Sequence, residues 1–330
     1  MTVPIVAFFN NKGGVGKTSL VFHTAWMLSE LGRRVLAVDL DPQANLTAAF
    51  LHEDALVDLW ETGDGRVRTV YQAVKPLLKV ADFEQPEIDS VNDKISLLPG
   101  DIGLAGFEDA LAEAWPACLH DKELYRPFRI MTAFWQIAQC SAQNVSAEII
   151  LFDVGPNLGA INRAALVACD HVVVPLAGDL FSIQGLRNLG PSLGEWRKGW
   201  KKRLANYEQP DFKLPEGSMK PAGYVVQQHQ VRLDRPIKAY TRWMDQIPAE
   251  YRTRGLSHAA PASNVETDPE CLAMFKHFRS LVPLAQEARR PVFLLRPAEG
   301  AVGSHANAVK MAYHDFEIFT HKLLQRMLAS

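Results

Sequence analysis

The stretch Asn10–Leu20, NNKGGVGKTSL, decides the fold. A standard phosphate-binding loop reads G-x-x-x-x-G-K-[ST]. Counted back from Gly16-Lys17-Thr18, its first glycine falls at residue 11, which is asparagine. Lys12 then follows, where the standard loop asks for no lysine. Gly13, Gly14 and Gly16 let backbone N–H groups curl around an anion. The helix predicted to begin near Lys17 turns the positive end of its dipole towards that anion. In such a loop Lys17 contacts the β- and γ-phosphates, and the Thr18 hydroxyl binds Mg²⁺. A fortuitous glycine-rich turn is the alternative, and the apolar strand leading into the loop argues against it.

Working outward, residues 4–9, PIVAFF, form a continuous apolar run, as a central parallel strand does. Leu20, Val21, Ala25, Leu28 and Leu31 recur at helical spacing, and Gly32 is placed to end that helix. RVLAVDLD (34–41) is a second buried strand, which completes a βαβ unit with an expected right-handed crossover. Further strands are expected at KISLLPG (94–100), AEIILFDVG (147–155), HVVVPL (171–176), AGYVVQQ (222–228) and PVFLL (291–295), with helical stretches between them. The alternation specifies an α/β fold, a P-loop NTPase with a mostly parallel sheet and helices on both faces. Residues 52–93 are polar and irregular, and 205–221 have the composition of a loop. Strands on both sides of each belong to one sheet, so the expectation is one domain over 1–330.

Composition is that of an ordinary globular chain, 48% hydrophobic and 22% charged over 330 residues. No apolar run approaches the roughly 20 residues of a membrane span, and IVAFF (5–9) is too short for a signal peptide. Cys118, Cys140, Cys169 and Cys271 stand alone without C-x-x-C spacing, which argues against zinc, iron–sulfur and disulfide frameworks and for a reducing cytosol. The ten histidines show no metal-ligand spacing. Residues 1–150 carry 12 basic and 20 acidic side chains, whereas 151–330 carry 23 and 17. Ordinary solvated faces account for that asymmetry as well as a basic surface facing a polyanion does.

Three carboxylates accompany the loop. Asp153 ends the apolar run IILFD, where an acid holding the Mg²⁺ shell is expected; without the P-loop it reads as an aspartate capping a turn. Asp39 and Asp41 end the strand after the P-loop helix, two residues apart and so on the same side. There they are suited to organise the metal's waters and the attacking water, because phosphoryl transfer depends on positioning and charge stabilisation.

With these residues in hand, the chain resembles a known family. KGGVGKT (12–18), VDLDPQANLT (38–47), LLPGDIGLAGFE (97–108), ILFDVGPNLGAINRAALVACDHVVVPL (150–176) and FSIQGLRNL (181–189) occur in the order seen in ParA-type ATPases. These belong to the deviant Walker A group that also includes MinD. LVPLAQEARRPVFLL (281–295), followed by HANAVKMAYHDFEIF (305–319), is similar to the family's closing strand and helix. The resemblance implies a single deviant Walker A ATPase domain that binds ATP and Mg²⁺ through Lys12, Gly13, Gly14, Val15, Gly16, Lys17, Thr18 and Ser19. It implies that Lys12 reaches across an ATP-bound homodimer to the partner's phosphates. It further implies that Asp41 positions the lytic water and that Asp39, Asp153 and Thr18 serve the metal. Departures exist: Gly155-Pro156 stands where a Pro-Pro pair is frequent, Ala44 where glycine is common, and the segment at about 52–145 is expanded.

A DNA surface is expected in the second half. RKGWKKR (197–203) supplies Arg197, Lys198, Lys201, Lys202 and Arg203; such runs are usually solvated helix faces, and in a ParA-like chain they suit a phosphate-tracking patch. Trp196 and Trp200, four apart within it, are read as packing residues. Arg232, Arg235, Lys238 and Arg242 form a second group, and Arg242 falls where the family carries a DNA-contacting arginine. The resemblance thus implies a cytoplasmic, nucleoid-associated ATPase that binds DNA nonspecifically and positions DNA or another cargo. A ParB-like or adaptor protein would stimulate hydrolysis. The alternative is a MinD-like switch at a membrane surface, for which FTHKLLQRMLAS (319–330) offers only a short anchor and reads more simply as the last packed helix. Iron-protein relatives need paired cysteines, and tyrosine-kinase relatives a tyrosine-rich tail; the chain has neither.

Overall fold

The computed structural model describes residues 2–61, 65–79, 81–227, 242–256, 264–276, 278 and 280–328. Its eight strands are β1 (Ile5–Phe8), β2 (Val35–Asp39), β3 (Asp89–Ser90), β4 (Ile95–Leu98), β5 (Ile149–Asp153), β6 (His171–Ala177), β7 (Lys220–Gln227) and β8 (Cys271–Phe275). They form one sheet in the order β3-β4-β2-β5-β1-β6-β7-β8. Every pairing is parallel except β3 with β4. The P-loop strand β1 is therefore central, with Phe8 level with Asp153 of β5 and with Val173 of β6.

The strands read as unbroken apolar runs because both faces are covered. Ile5, Ala7 and Phe9 of the β1 run enter one core together with Leu36, Val38 and Phe152. Val6 and Phe8 enter the other with Val35, Ala37 and Leu151. Helix α1 (Lys17–Glu30) packs on the second face, and Leu31 and Gly32 (φ 84°) end it as its sequence suggests. After α2 (Asn45–Phe50), the expanded segment is helical in large part: α3 (Glu53–Glu61), α4 (Val70–Val74), α5 (Glu108–Ala117), α6 (Tyr125–Met131) and α7 (Ala133–Asn144). The aromatic run at 125–140 makes α6 and α7 and is largely buried on the first face. Helices α8 (Ala160–Val167) and α9 (Leu180–Asn206) cover the same face. Further helices are α10 (Ile247–Thr253), α11 (Leu281–Ala288) and α12 (Ser304–Leu328). α12 buries Phe316, Phe319 and Leu323 in the second core.

One expected strand is absent. Within PVFLL, Val292–Leu294 is a 3₁₀ turn, and the Val292 N–H donates to His23 Nε2 at 3.2 Å instead of to a ladder. The last strand of the sheet is β8, CLAMF, which pairs with β7. Three of its five residues (Leu, Ala, Met) favour helices at least as much as strands, so an apolar run this short gave no strand signal.

Candidate nucleotide site

Asn10 anchors the start of the loop. Its Nδ2 donates to Pro175 O of β6 at 2.7 Å, and its Oδ1 accepts the Lys12 N–H at 3.0 Å. Gly14 and Gly16 have φ of 72° and 75°, the left-handed region that favours glycine. Gly16 also meets the end of β7. The Gln227 amide at the tip of β7 donates to Gly16 O at 3.2 Å, and a Cβ on Gly16 would lie 2.4 Å from Gln227 Nε2. α1 starts at Lys17 with no side chain capping its N–H groups, the arrangement that receives an anion.

Behind the loop lies a cluster of charge. Lys17 is buried, which lowers its pKa, while Asp153 and Asp41 pull it back up. Asp153 is fully buried, and neither carboxylate oxygen has a hydrogen-bond partner. Burial, and then the neighbouring charge of Asp39, push its pKa well above the carboxylate range. The Thr18 hydroxyl favours its charged form without reaching hydrogen-bonding geometry. A fully buried, unpartnered carboxylate beside a threonine hydroxyl is a donor set that suits Mg²⁺, which takes one or two carboxylates and completes its shell with phosphate and water.

Asp39 differs. Its Oδ2 accepts from Thr47 N at 2.8 Å and Thr47 Oγ1 at 2.7 Å, and its Oδ1 accepts from Asp41 N at 3.2 Å. Burial raises its pKa to about 6 against those bonds. The sequence expects Asp39 to serve the metal beside Asp153; in the fold its oxygens also organise the Asp41–Thr47 segment, whereas those of Asp153 have no partner. Gly100 of LLPGD closes on Asp39, since its N–H donates to Thr47 Oγ1 at 2.8 Å and a Cβ there would meet Asp39 Cγ at 2.9 Å.

Lys12 points away from this cluster, into its own chain. Its Nζ pairs with Asp179 Oδ2 at 2.5 Å and lies 5.8 Å from the Phe181 ring centroid. Asp179 also caps α9, accepting from Ser182 N at 2.8 Å. Its burial opposes ionisation, and Lys12 with the Ser182 N–H holds its pKa below the usual value.

Gly13, Gly14, Gly16, Lys17, Thr18, Ser19 and Asp41 line a single cavity of about 720 Å³. Val15 is fully buried and does not line the cavity. Sequence reasoning missed the opposite wall: Phe278, Val282, Gln286, Arg289 and Arg290. The loop after β5 also borders the cavity through Pro156. It is fixed by Asn162 Nδ2, which donates to Gly155 O and Asn157 O at 2.9 and 2.8 Å. Glu108, the last residue of LLPGDIGLAGFE, accepts the Ala160 and Ile161 N–H groups at the start of α8.

The basic cluster divides. Lys198, Lys201 and Lys202 are exposed on α9 at helical spacing. Arg203 is not available to DNA, which corrects that expectation. It is only 6% exposed, its Nε and Nη1 donate to Trp115 O and Gly199 O, and its guanidinium lies 3.6 Å from the Trp115 ring centroid. Arg197 likewise donates to Met219 O at 2.7 Å. Trp196 and Trp200 are buried, as their packing role requires. Arg242 is exposed, with its guanidinium 5.2 Å from the Trp243 ring centroid. Arg232, Arg235 and Lys238 lie outside the described residues.

Comparison with known proteins agrees with this geometry. The family model described as AAA domain (AAA_31) matches residues 3–206. The chromosome-partitioning ATPase Soj of Thermus thermophilus is 31% identical over 199 residues, covering 60% of this chain and 65% of that protein. The sporulation initiation inhibitor protein Soj of Bacillus subtilis is 30% identical over 185 residues, covering 56% and 62%. These alignments span less than two thirds of either relative. Among solved structures, protein DIP2308 from Corynebacterium diphtheriae superposes with a TM-score of 0.70 at 26% identity, covering 87% of this chain and 97% of that one. The chain belongs to the AAA domain family, in its ParA-type group of P-loop ATPases.

Proposed function

We propose that the protein is an ATP-dependent dimerising ATPase that binds DNA nonspecifically and positions DNA or another cargo in the cytoplasm. The observation that carries the reading is the burial of Lys17 between Asp153 and Asp41 at a glycine-lined cavity. A lysine and an unpartnered carboxylate buried together have their use when a phosphate and its cation arrive. Mg²⁺, when bound, supplies charge neutralisation of the phosphates; Asp153 and Thr18 are the residues that would hold it. Lys17 and the Gly13–Gly16 N–H groups orient the phosphates, and Asp41 holds the attacking water.

Dimerisation is supported by where exposed apolar side chains fall. Ile102 follows β4, Leu158 follows β5, and Leu180 and Phe181 follow β6, all at the sheet edge that carries the P-loop. Four exposed apolar groups near the P-loop suit a protein interface. Lys12 stands on that edge, bound to Asp179, and on pairing it would exchange that carboxylate for the partner's phosphates. Lys198, Lys201, Lys202 and Arg242 supply the phosphate contacts to DNA, and a ParB-like or adaptor protein stimulates hydrolysis. The two Soj relatives carry names of chromosome partitioning and sporulation control, in keeping with cargo positioning. The MinD-like reading has less support, because α12 packs against the core through Phe316, Phe319 and Leu323. Electrophoretic shift of unrelated duplexes, with and without MgATP, tests the DNA function; binding only with MgATP, and weakening with salt, is expected. Equal shifts in both states would contradict it, and binding to anionic liposomes but to no duplex would favour the membrane reading.

A further inference from the structure

The cavity has two walls from distant parts of the chain, and one side chain ties them together. α2 supplies one wall through Asn45, Ala48 and Ala49, and α11 supplies the other through Val282, Ala285 and Gln286. α2 has only six residues, too few to hold a helix by itself. Its N-cap, Ala44, sits at φ 52°, ψ 35°, in the left-handed region that disfavours any side chain. Thr47, bonded to Asp39, holds the first half. At the other end, Arg289 Nη1 donates to Ala48 O at 2.5 Å and to Leu51 O, satisfying carbonyls that the helix itself leaves open. Arg289 is itself left-handed, at φ 48°, ψ 42°, where it ends α11. Two non-glycine residues in a disfavoured conformation thus face each other across one short helix, and a charge-assisted contact spans them.

We propose that Arg289 is a positioning residue: by capping α2 from the end of α11 it fixes the spacing of the two walls, and so sets the affinity for nucleotide. This rests on the reading that the cavity takes MgATP, and the two are tested separately. Hydrogen exchange of the α2 amides, measured without nucleotide, reads the clamp alone; titration with MgATP reads its consequence. Arg289→Ala is expected to speed exchange over 45–51 and to raise KM for ATP about tenfold, the loss of one charge-assisted contact, with kcat changed less. Arg289→Lys, which keeps a cationic donor, is expected to restore most of both. Ala44→Gly, which removes the backbone strain, is expected to shrink the effect of Arg289→Ala in the double variant. Unchanged exchange in Arg289→Ala overturns the clamp. So does a collapse of MgATP affinity with exchange unchanged, which would mean that Arg289 touches the nucleotide directly. A wild-type protein that binds no MgATP, yet shows the exchange difference, overturns the nucleotide reading and leaves the clamp standing.

Discussion

Lys17 and His23, both on α1, carry the sharpest predictions about single residues. Lys17→Ala removes a buried phosphate-binding charge, so MgATP affinity should fall by about 10- to 150-fold, the equivalent of one hydrogen bond to a charged group. Calorimetric titration measures it, and wild-type affinity in the variant would refute the loop assignment. His23 donates from Nδ1 to Ser19 O at 2.6 Å, accepts the Val292 N–H at Nε2, and stacks on Phe316. Burial pushes its pKa down to about 4, against a backbone bond to Ser19 that favours the charged ring. The folded protein therefore disfavours protonation. Its stability is complete above the unfolded value near 6.5 and falls as pH drops towards 4, by about 3 kcal/mol at most. Urea melts across that window should show a stability slope that His23→Gln reduces by one proton. An equal slope in both proteins would mean that the ring titrates normally. The P-loop lysine was legible because its partners are its neighbours in sequence. Asp179, Gln227 and Arg289 were not, because each meets its partner more than 150 residues away, and no periodicity encodes such a pairing.

α9 shows how one helix sorts its charges. A run of five basic residues reads as one patch in sequence, but helical spacing turns them to different sides. Arg203 supports the stack on Trp115, so Arg203→Ala should cost about 1–3 kcal/mol, by leaving the Trp115 carbonyl without this donor and the ring without its cover. Thermal melts measure this, and an unchanged midpoint would refute a structural role. Lys201→Ala with Lys202→Ala should leave the melt unchanged and lower the salt dependence of DNA binding by about two phosphate contacts. A DNA affinity and salt slope equal to wild type would exclude this face. The strands taught a parallel lesson. Runs rich in valine and isoleucine, such as HVVVPL and AEIILFD, were recognisable. PVFLL had a strand's composition but folds as a turn against α1, while CLAMF lacked that composition and joins the sheet because β7 offers it an edge.

For the molecule as a whole, the parallel order around β1 gathers the loops after β1, β2, β5 and β6 at one edge, which brings Lys12, Lys17, Asp41, Asp153 and Asp179 together. That assembly followed from the alternation of strands and helices, whereas the state of Lys12 did not. In the single chain it is paired with Asp179, so leaving that carboxylate must be offset by what it meets in a partner. MgATP bound at this edge is expected to drive two chains together. Light scattering of Asp41→Ala, in which hydrolysis should be blocked, tests it most directly. The expected mass is that of one chain without nucleotide and of two with MgATP, and of a single chain in both conditions when Lys12→Ala is added. A mass that MgATP does not change in Asp41→Ala, or an ATP-dependent dimer that persists without Lys12, would contradict it.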